Sequence, residues 1–383
     1  MEPYLPNYLK GKNRRLVFDL LRERGQMSRA EITRDTGMSF PTAMKVVDAF
    51  LEKGLLVELD ETGPAAGAGR KGRLLRFEPG AYRAVGVECE GRFARVGLAD
   101  MAGGVQARET IELGDFARTR DLSPIAAAIR RMCAAANGAP VLGVCIGFPA
   151  NLDPDAAAIV SYAAMDIQQP TSFAQVFPAF WREVELPVYL ENDANLACEG
   201  EAFLRRGAGG AANMLYLSIG SGCGGAVRLD GKLRRGARCR AGEVGAMLLQ
   251  PALGAPGRSA ARETLEDAVC LAALERRFGA ALRDGAQPGE ASAQAMRDYL
   301  CGPLSGAVYS LVMTLDVELC VLAGIVPGAL GMQLCTQVSE ALRAALPEST
   351  PVRVEPSVSA DAGVIGAAAT VFERSLDALL GSG

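Results

Sequence analysis

The stretch that decides the fold is residues 190–247, LENDANLACEGEAFLRRGAGGAANMLYLSIGSGCGGAVRLDGKLRRGARCRAGEVGAM. It opens on the end of a buried strand, LPVYLEN, which stops at Asn192-Asp193. A helix is expected from about Ala194. Residues 215–227, LYLSIGSGCGGAV, read as two strands about a Gly-rich turn. Glu243 follows, a carboxylate flanked by Gly242 and Gly245. Polar groups gathered at strand ends and Gly turns in an otherwise apolar stretch mark a candidate binding cleft. On residue chemistry alone, an amide and a carboxylate at a strand end could equally cap the next helix, and for Asp193 and Asn195 both readings stand. A Gly-rich turn alone can be no more than a tight hairpin.

Working outward, the first eighty residues carry three short helical patterns. Residues 13–24 place Leu16, Val17, Leu20 and Leu21 on one stripe, and Gly25 ends it. Ser28 and Glu31 form an S-x-x-E capping box for a second helix through Thr36, and Gly37 makes the turn. Ser39 caps a third helix, with Pro41 tolerated in its first turn and Ala43, Val46, Val47, Phe50 and Leu51 as its buried stripe. Its outward positions near the N-terminus are Pro41, Thr42 and Lys45, where a recognition helix reaches base edges in a major groove. LLVELD and RKGRLLRFE then read as two strands around the loop ETGPAAGAG, a winged hairpin whose tip carries Arg70, Lys71 and Arg73. Small residues interleaved with Arg suit a narrow, negative minor groove. A small helical protein-interaction domain with a solvated RKGR loop explains any one helix, but not the ordered set.

Composition bounds the rest. At 383 residues and 49% hydrophobic, the chain can bury a sizeable core in two or three domains. No apolar run reaches the roughly 18 residues of a membrane span, and MEPYLPNYLKGKNRR lacks the apolar stretch of a secretory signal. The ten cysteines are scattered without a CxxC pair, as expected for reduced core thiols in a cytoplasm. There is no histidine, which removes Ser-His triads, His acid/base catalysis and His metal ligands. Residues 1–80 hold 14 Lys/Arg against 11 Asp/Glu, and the remainder 26 against 33. A mildly basic head on an acidic body suits a DNA-binding module on an effector domain.

E-N-D-A-N at 191–195 and A-G-E-x-G at 241–245, behind a winged head, resemble the ROK family (repressors, unassigned frames and sugar kinases). The resemblance runs from about Asn13 to Leu379 and implies an actin-like ATPase fold. In the family's kinases the Asp of N-D-A-N deprotonates the sugar hydroxyl and the neighbouring Asn holds other hydroxyls; Asp193 and Asn192 match. The kinase phosphate turn D-x-G-G-T is here Glu88-Cys89-Glu90-Gly91-Arg92, so a carboxylate stands where free amides should meet phosphate. In VLGVCIGFPANLDP, residues 141–154, Gly147-Phe148 replaces Pro-Gly, and Asn151 is an implied sugar contact. The family's E-x-G-H keeps Glu243 but has Ala246 for the histidine, and no Cys lies between 240 and 269 where the zinc run belongs. Glu266 lines up with the carboxylate that ends that run and is expected to face the sugar. Ala323-Gly324 replaces the Gly-Gly that touches adenosine, and residues 359–372 resemble the closing helix.

The expectation is an α/β chain: a winged helix-turn-helix at 1–80, a first actin-like lobe at 81–189 plus 365–383, and a second at 190–364. It is expected to be a cytoplasmic, dimeric or dimer-of-dimers transcriptional regulator, most readily a repressor, and not an enzyme. Its expected partners are double-stranded operator DNA and a small effector, a sugar or sugar derivative, with no metal, cofactor or membrane. DNA contacts are assigned to Ser39, Pro41, Thr42, Lys45, Arg70, Lys71 and Arg73, and effector contacts to Asn151, Asn192, Asp193, Glu243 and Glu266. Two alternatives remain: a DNA-binding protein whose decayed second domain only dimerises, and a sugar kinase with an extra domain.

Overall fold

The structure is a computed structural model and describes residues 6–62, 73–206, 210–249, 263–279, 282 and 288–380. Local signals act first. The helix Arg29–Thr36 starts at a full capping box: Ser28 Oγ accepts from the Glu31 amide, and Glu31 accepts from the Ser28 amide (2.8 Å). The helix Phe40–Glu52 is capped by Ser39 and buries Ala43, Val46, Val47 and Phe50. The strands Gln26–Ser28, Leu56–Thr62 and Arg73–Phe77 form a three-stranded antiparallel sheet beside these helices, the arrangement of a winged helix.

The body holds two five-stranded sheets with one topology. In the first, Arg83–Glu90 lies at the centre, antiparallel to Phe93–Asp100, which pairs with Val105–Glu112; on its other side it runs parallel to Val141–Phe148, and that strand to Val188–Asn192. In the second, Met214–Ile219 is central, antiparallel to Cys223–Leu229 with Lys232–Leu233 beyond, and parallel to Leu319–Ala323 with Arg353–Pro356 beyond. The same order built twice is the two-lobed actin-like arrangement. Strands that run parallel in both sheets, VLGVCIGF and LCVLA, are buried on both faces and lack polar alternation.

The strand Val188–Asn192 pairs along its length with Val141–Phe148, so a lobe boundary between residues 189 and 190 would cut a hydrogen-bonded strand. A boundary between 364 and 365 would likewise divide the helix Ala362–Leu379. Two helices thread between the sheets, Asp193–Leu204 and Ala362–Leu379. Their backbones touch where a Cβ on Gly200 would stand 1.8 Å from the Ala362 carbonyl and one on Gly366 1.9 Å from that of Leu196. We call them the cleft helix and the closing helix.

The head is not a separate bead. Val17, Phe18 and Leu21 share one buried cluster with Val371, Phe372 and Leu376 of the closing helix. Around it, Arg14 donates to the Leu380 carbonyl (2.9 Å), Arg15 pairs with Glu373 (2.8 Å), and the Tyr82 hydroxyl donates to the Lys53 carbonyl (3.0 Å).

Candidate functional site

The cleft helix starts where the first sheet ends. Asn192 is its N-cap: Oδ1 accepts from the Asn195 amide (3.1 Å), and Nδ2 donates to the Ala150 carbonyl (3.3 Å). The cap is therefore Asn192 and neither Asp193 nor Asn195, for which the sequence leaves capping open, and Asn192 keeps one N–H and one lone pair for anything else. Asp193 is the first helical residue and takes the Ala194 amide on Oδ1 (2.9 Å). Burial pushes its carboxyl up to about 6, against that hydrogen bond, with Glu90 and Glu243 adding repulsion. A buried carboxylate kept basic in this way is chemically poised to accept a proton or a hydroxyl hydrogen bond.

Asn151 and Glu243 meet across the cleft. The Asn151 amide is satisfied when its nitrogen donates to Glu243 Oε1 (2.7 Å) and the Cys239 carbonyl (3.1 Å) while its oxygen accepts from Ser161 Oγ (3.0 Å). Glu243 is presented there by a turn only glycine can make: Gly242 has φ +96°, and a Cβ on it would lie 2.4 Å from the Gly225 carbonyl. The Glu243 carboxyl is raised by burial, with Arg240 opposing and Glu266 reinforcing the shift. Glu266 does not point freely into the cleft. Its Oε2 accepts from the Cys223 amide (2.8 Å) and so locks the Gly220–Gly222 turn. Asn151, Asp193 and Glu243 thus gather at the cleft, whereas Asn192 and Glu266 are largely engaged by backbone.

Two polar groups at the cleft were missed. Glu191, almost fully buried, accepts from the Asn192 amide and Asn195 Nδ2 (2.9 Å each) and pairs with Arg235 of the second lobe (2.5 Å). Nothing in the E-N-D-A-N string distinguishes this anchor from its neighbours. Arg95 bridges Glu88 and Glu90, with Nη2 3.0 Å from each carboxylate. Here a signal existed: in a hairpin turning at Gly91-Arg92, Glu88 and Arg95 fall opposite each other, as they do in the structure. Burial pushes the Glu88 carboxyl up to about 7, against the pull of Arg95 and with the help of Glu90.

In the head, Pro41 and Lys45 are exposed on the third helix and Thr42 is half-buried, its hydroxyl bonded to Ser39 Oγ (2.8 Å). Ser39 is occupied as the cap. Phe40, more than half exposed beside Pro41, belongs to the same face and is not among the residues assigned to it from the sequence. Arg73 pairs with Glu58 on the neighbouring strand (3.3 Å). Arg70 and Lys71 lie outside the described residues, as does most of the segment where the zinc run would fall. Among the described residues no group of three or more His, Cys, Asp or Glu could hold a metal ion, and no helix is long and apolar enough to cross a membrane.

Comparisons with known proteins fit this geometry. The chain is 27% identical over 241 residues to a xylose repressor of Caldicellulosiruptor bescii, covering 62% of this chain and 58% of that protein. It is 34% identical over 141 residues to a glucokinase of Halalkalibacterium halodurans, 35% of this chain and 40% of that enzyme. The chain thus spans less than two thirds of the length of these curated relatives. Among solved structures, a ROK family transcriptional regulator, a homologue of the E. coli MLC protein, superposes with a TM-score of 0.76 at 17% identity, covering 97% of this chain and 98% of that one. A ROK hexokinase from Thermus thermophilus gives 0.59 at 26% identity, over 76% of this chain and 98% of that one. The regulator structure is matched over nearly the whole chain, head included, and the hexokinase over about three quarters of it. The ROK family model matches residues 84–374, most of the chain, and the protein belongs to the ROK family.

Proposed function

We propose that this protein is a sugar-responsive transcriptional regulator, most readily a repressor, and not a kinase. The observation that carries the choice is the Arg95 bridge between Glu88 and Glu90 at the turn where a kinase would bind phosphate. Phosphate wants free amides and no anion, and this turn offers two carboxylates. The kinase reading has Asp193 in its favour, since a basic carboxylate is what it needs, but Asp193 then has no phosphoryl donor to work with.

The effector reading rests on Asn151, Asp193 and Glu243, which supply the donors and acceptors a polyol needs. Relatives named xylose repressors make D-xylose the first sugar to test. Ala246, with no imidazole, leaves room for a substituted or larger sugar. The head's exposed Phe40, Pro41 and Lys45 face the major groove in this reading, and a dimer would set two of them against a palindromic site.

The cleft helix links the two functions. Its N-terminus carries Asn192 and Asp193, and its far end meets the head, where the Phe203 ring lies 4.8 Å from the Arg22 guanidinium. A sugar that draws Asn151 and Glu243 into new contacts changes the closure of the lobes and, through this helix, the set of the heads.

The test is selection of bound fragments from the organism's own DNA, followed by a sugar panel on the selected site. Sequence-specific binding released by one sugar is expected, with ADP release at background. ATP turnover on the order of 1 s⁻¹ on a common sugar would overturn it.

A further inference from the structure

A cavity of about 380 Å³, whose lining does not include Asp193, is within the range of small-ligand sites. Its lining includes the polar groups of Glu88, Glu90, Arg95 and Tyr216 and the apolar side chains of Ile325 and Val358. Three features point to a ligand. First, one guanidinium serves two carboxylates, each through Oε2, and among the described residues Oε1 of neither has a hydrogen-bond partner. Second, Tyr216 is 5% exposed, yet among the described residues its hydroxyl makes no hydrogen bond. A buried phenol ordinarily finds a partner, so this one faces an unfilled polar position. Third, Ile325 and Val358 of the lining keep 36% and 54% of their surface exposed.

The charge decides the class. Two carboxylates against one guanidinium leave an excess negative charge, and Asp193 lies close enough to repel both Glu88 and Glu90 further. Anions, including any nucleotide, meet that charge at the point where their phosphates would enter. A metal ion is disfavoured because Arg95 already occupies the space between the two carboxylates.

We propose that this cavity is a second ligand site, distinct from the sugar position, that takes a protonated amine carrying an apolar or aromatic body. The ammonium group rests against the free oxygens of Glu88 and Glu90, Tyr216 hydrogen-bonds a polar atom of the body, and Ile325 and Val358 cover its apolar part. The site also reaches the cleft helix. The Val358 amide donates to Glu201 of that helix (2.9 Å), and Ser357 Oγ bonds the same carboxylate. An occupant would therefore bias the element that carries the sugar-facing Asp193 at its other end.

The test is calorimetric titration of the full-length protein at pH 8 with tryptamine, with indole-3-propionate as the same ring bearing the opposite charge, and with magnesium AMP-PNP. Tryptamine is expected to bind with a Kd of about 1 mM or tighter, and both anions at least about tenfold more weakly. Glu90→Gln, which leaves Arg95 paired with Glu88, should weaken tryptamine about tenfold, and Tyr216→Phe severalfold, with melting temperatures near the parent's. Asp193→Asn removes a neighbouring charge but no contact, so it should weaken tryptamine clearly less than Glu90→Gln does while abolishing the sugar response, which separates this site from the sugar reading. The proposal is overturned if indole-3-propionate or AMP-PNP binds as tightly as tryptamine. It is equally overturned if Glu90→Gln and Tyr216→Phe both bind tryptamine like the parent, or if tryptamine, phenethylamine and agmatine all fail to bind. Failure here leaves the operator-release assay of the sugar reading untouched.

Discussion

The guanidinium of Arg22, in the first helix of the head, lies 4.8 Å from the ring of Phe203 at the end of the cleft helix. Arg206 covers the same ring at 4.6 Å. The Arg22 side chain is buried, pushed down to about 10 by desolvation and then by Arg206, and its Nε and Nη1 have no partner among the described residues. A cation–π contact with a desolvated guanidinium is worth about 1–2 kcal/mol, so the joint is specific but not strong. Phe203→Ala is expected to cost about that much stability and to leave DNA affinity near the parent's while blunting release by sugar at least severalfold. Release unchanged in Phe203→Ala, measured by fluorescence anisotropy on the selected site, would remove this helix from the route.

Asp193→Asn should abolish the sugar response. It should also stabilise the fold, in a pH-dependent way. The native carboxyl titrates near 6, above the value near 4 of an unfolded chain, so folding binds a proton between those values. Its contribution is therefore full below about pH 4 and is lost as pH rises through 6. The Asn variant lacks this loss. Its advantage in denaturant melts should grow from small at pH 4.5 to at most about 3 kcal/mol at pH 7.5. A constant or shrinking advantage over that range would contradict the buried-carboxylate account.

Glu191 holds the cap, Asn195 and Arg235 together, and its removal leaves buried donors without an acceptor. Arg235 is partly exposed and can rehydrate, so Glu191→Ala is expected to cost roughly 2–3 kcal/mol rather than the larger figure for a fully buried pair. Sugar affinity should fall with it, because Asp193 sits on the loosened turn. Chemical denaturation and calorimetry on the same variant read both effects.

On DNA, Lys45→Ala and Phe40→Ala should change base preference at one or two positions, by roughly 1–3 kcal/mol for a good base contact. Arg70→Ala with Arg73→Ala should instead weaken all sites and flatten the salt dependence by up to about two phosphate equivalents. Arg73 already pairs with Glu58, so Arg70 is expected to carry the larger share. An unaltered salt slope in the double variant would remove the wing from the interface.

What the sequence made legible was local or held in short strings. Ser28 and Glu31 fix a helix start within four residues, and A-G-E-x-G fixes a turn that only glycine allows, so both could be read directly. Asn192 could not be settled, because an amide at a strand end serves a cap or a hydroxyl equally well and only its partners decide. The Arg95 bridge was readable from hairpin symmetry and was passed over. The Asn151–Glu243 contact and the Arg22–Phe203 joint join residues far apart in the chain, and no periodicity reports on them.

The buried cluster shared by Val17, Phe18 and Leu21 with Val371, Phe372 and Leu376 also bears on portability. A head cut away near residue 80 would carry an open apolar wound, and so would the body it left. Chimeras that graft this reader onto another sensor should keep the closing helix with it, or resurface both halves of the seam. The unit of exchange is set by where the greasy contacts stop, which is not where the strands and helices of the head run out.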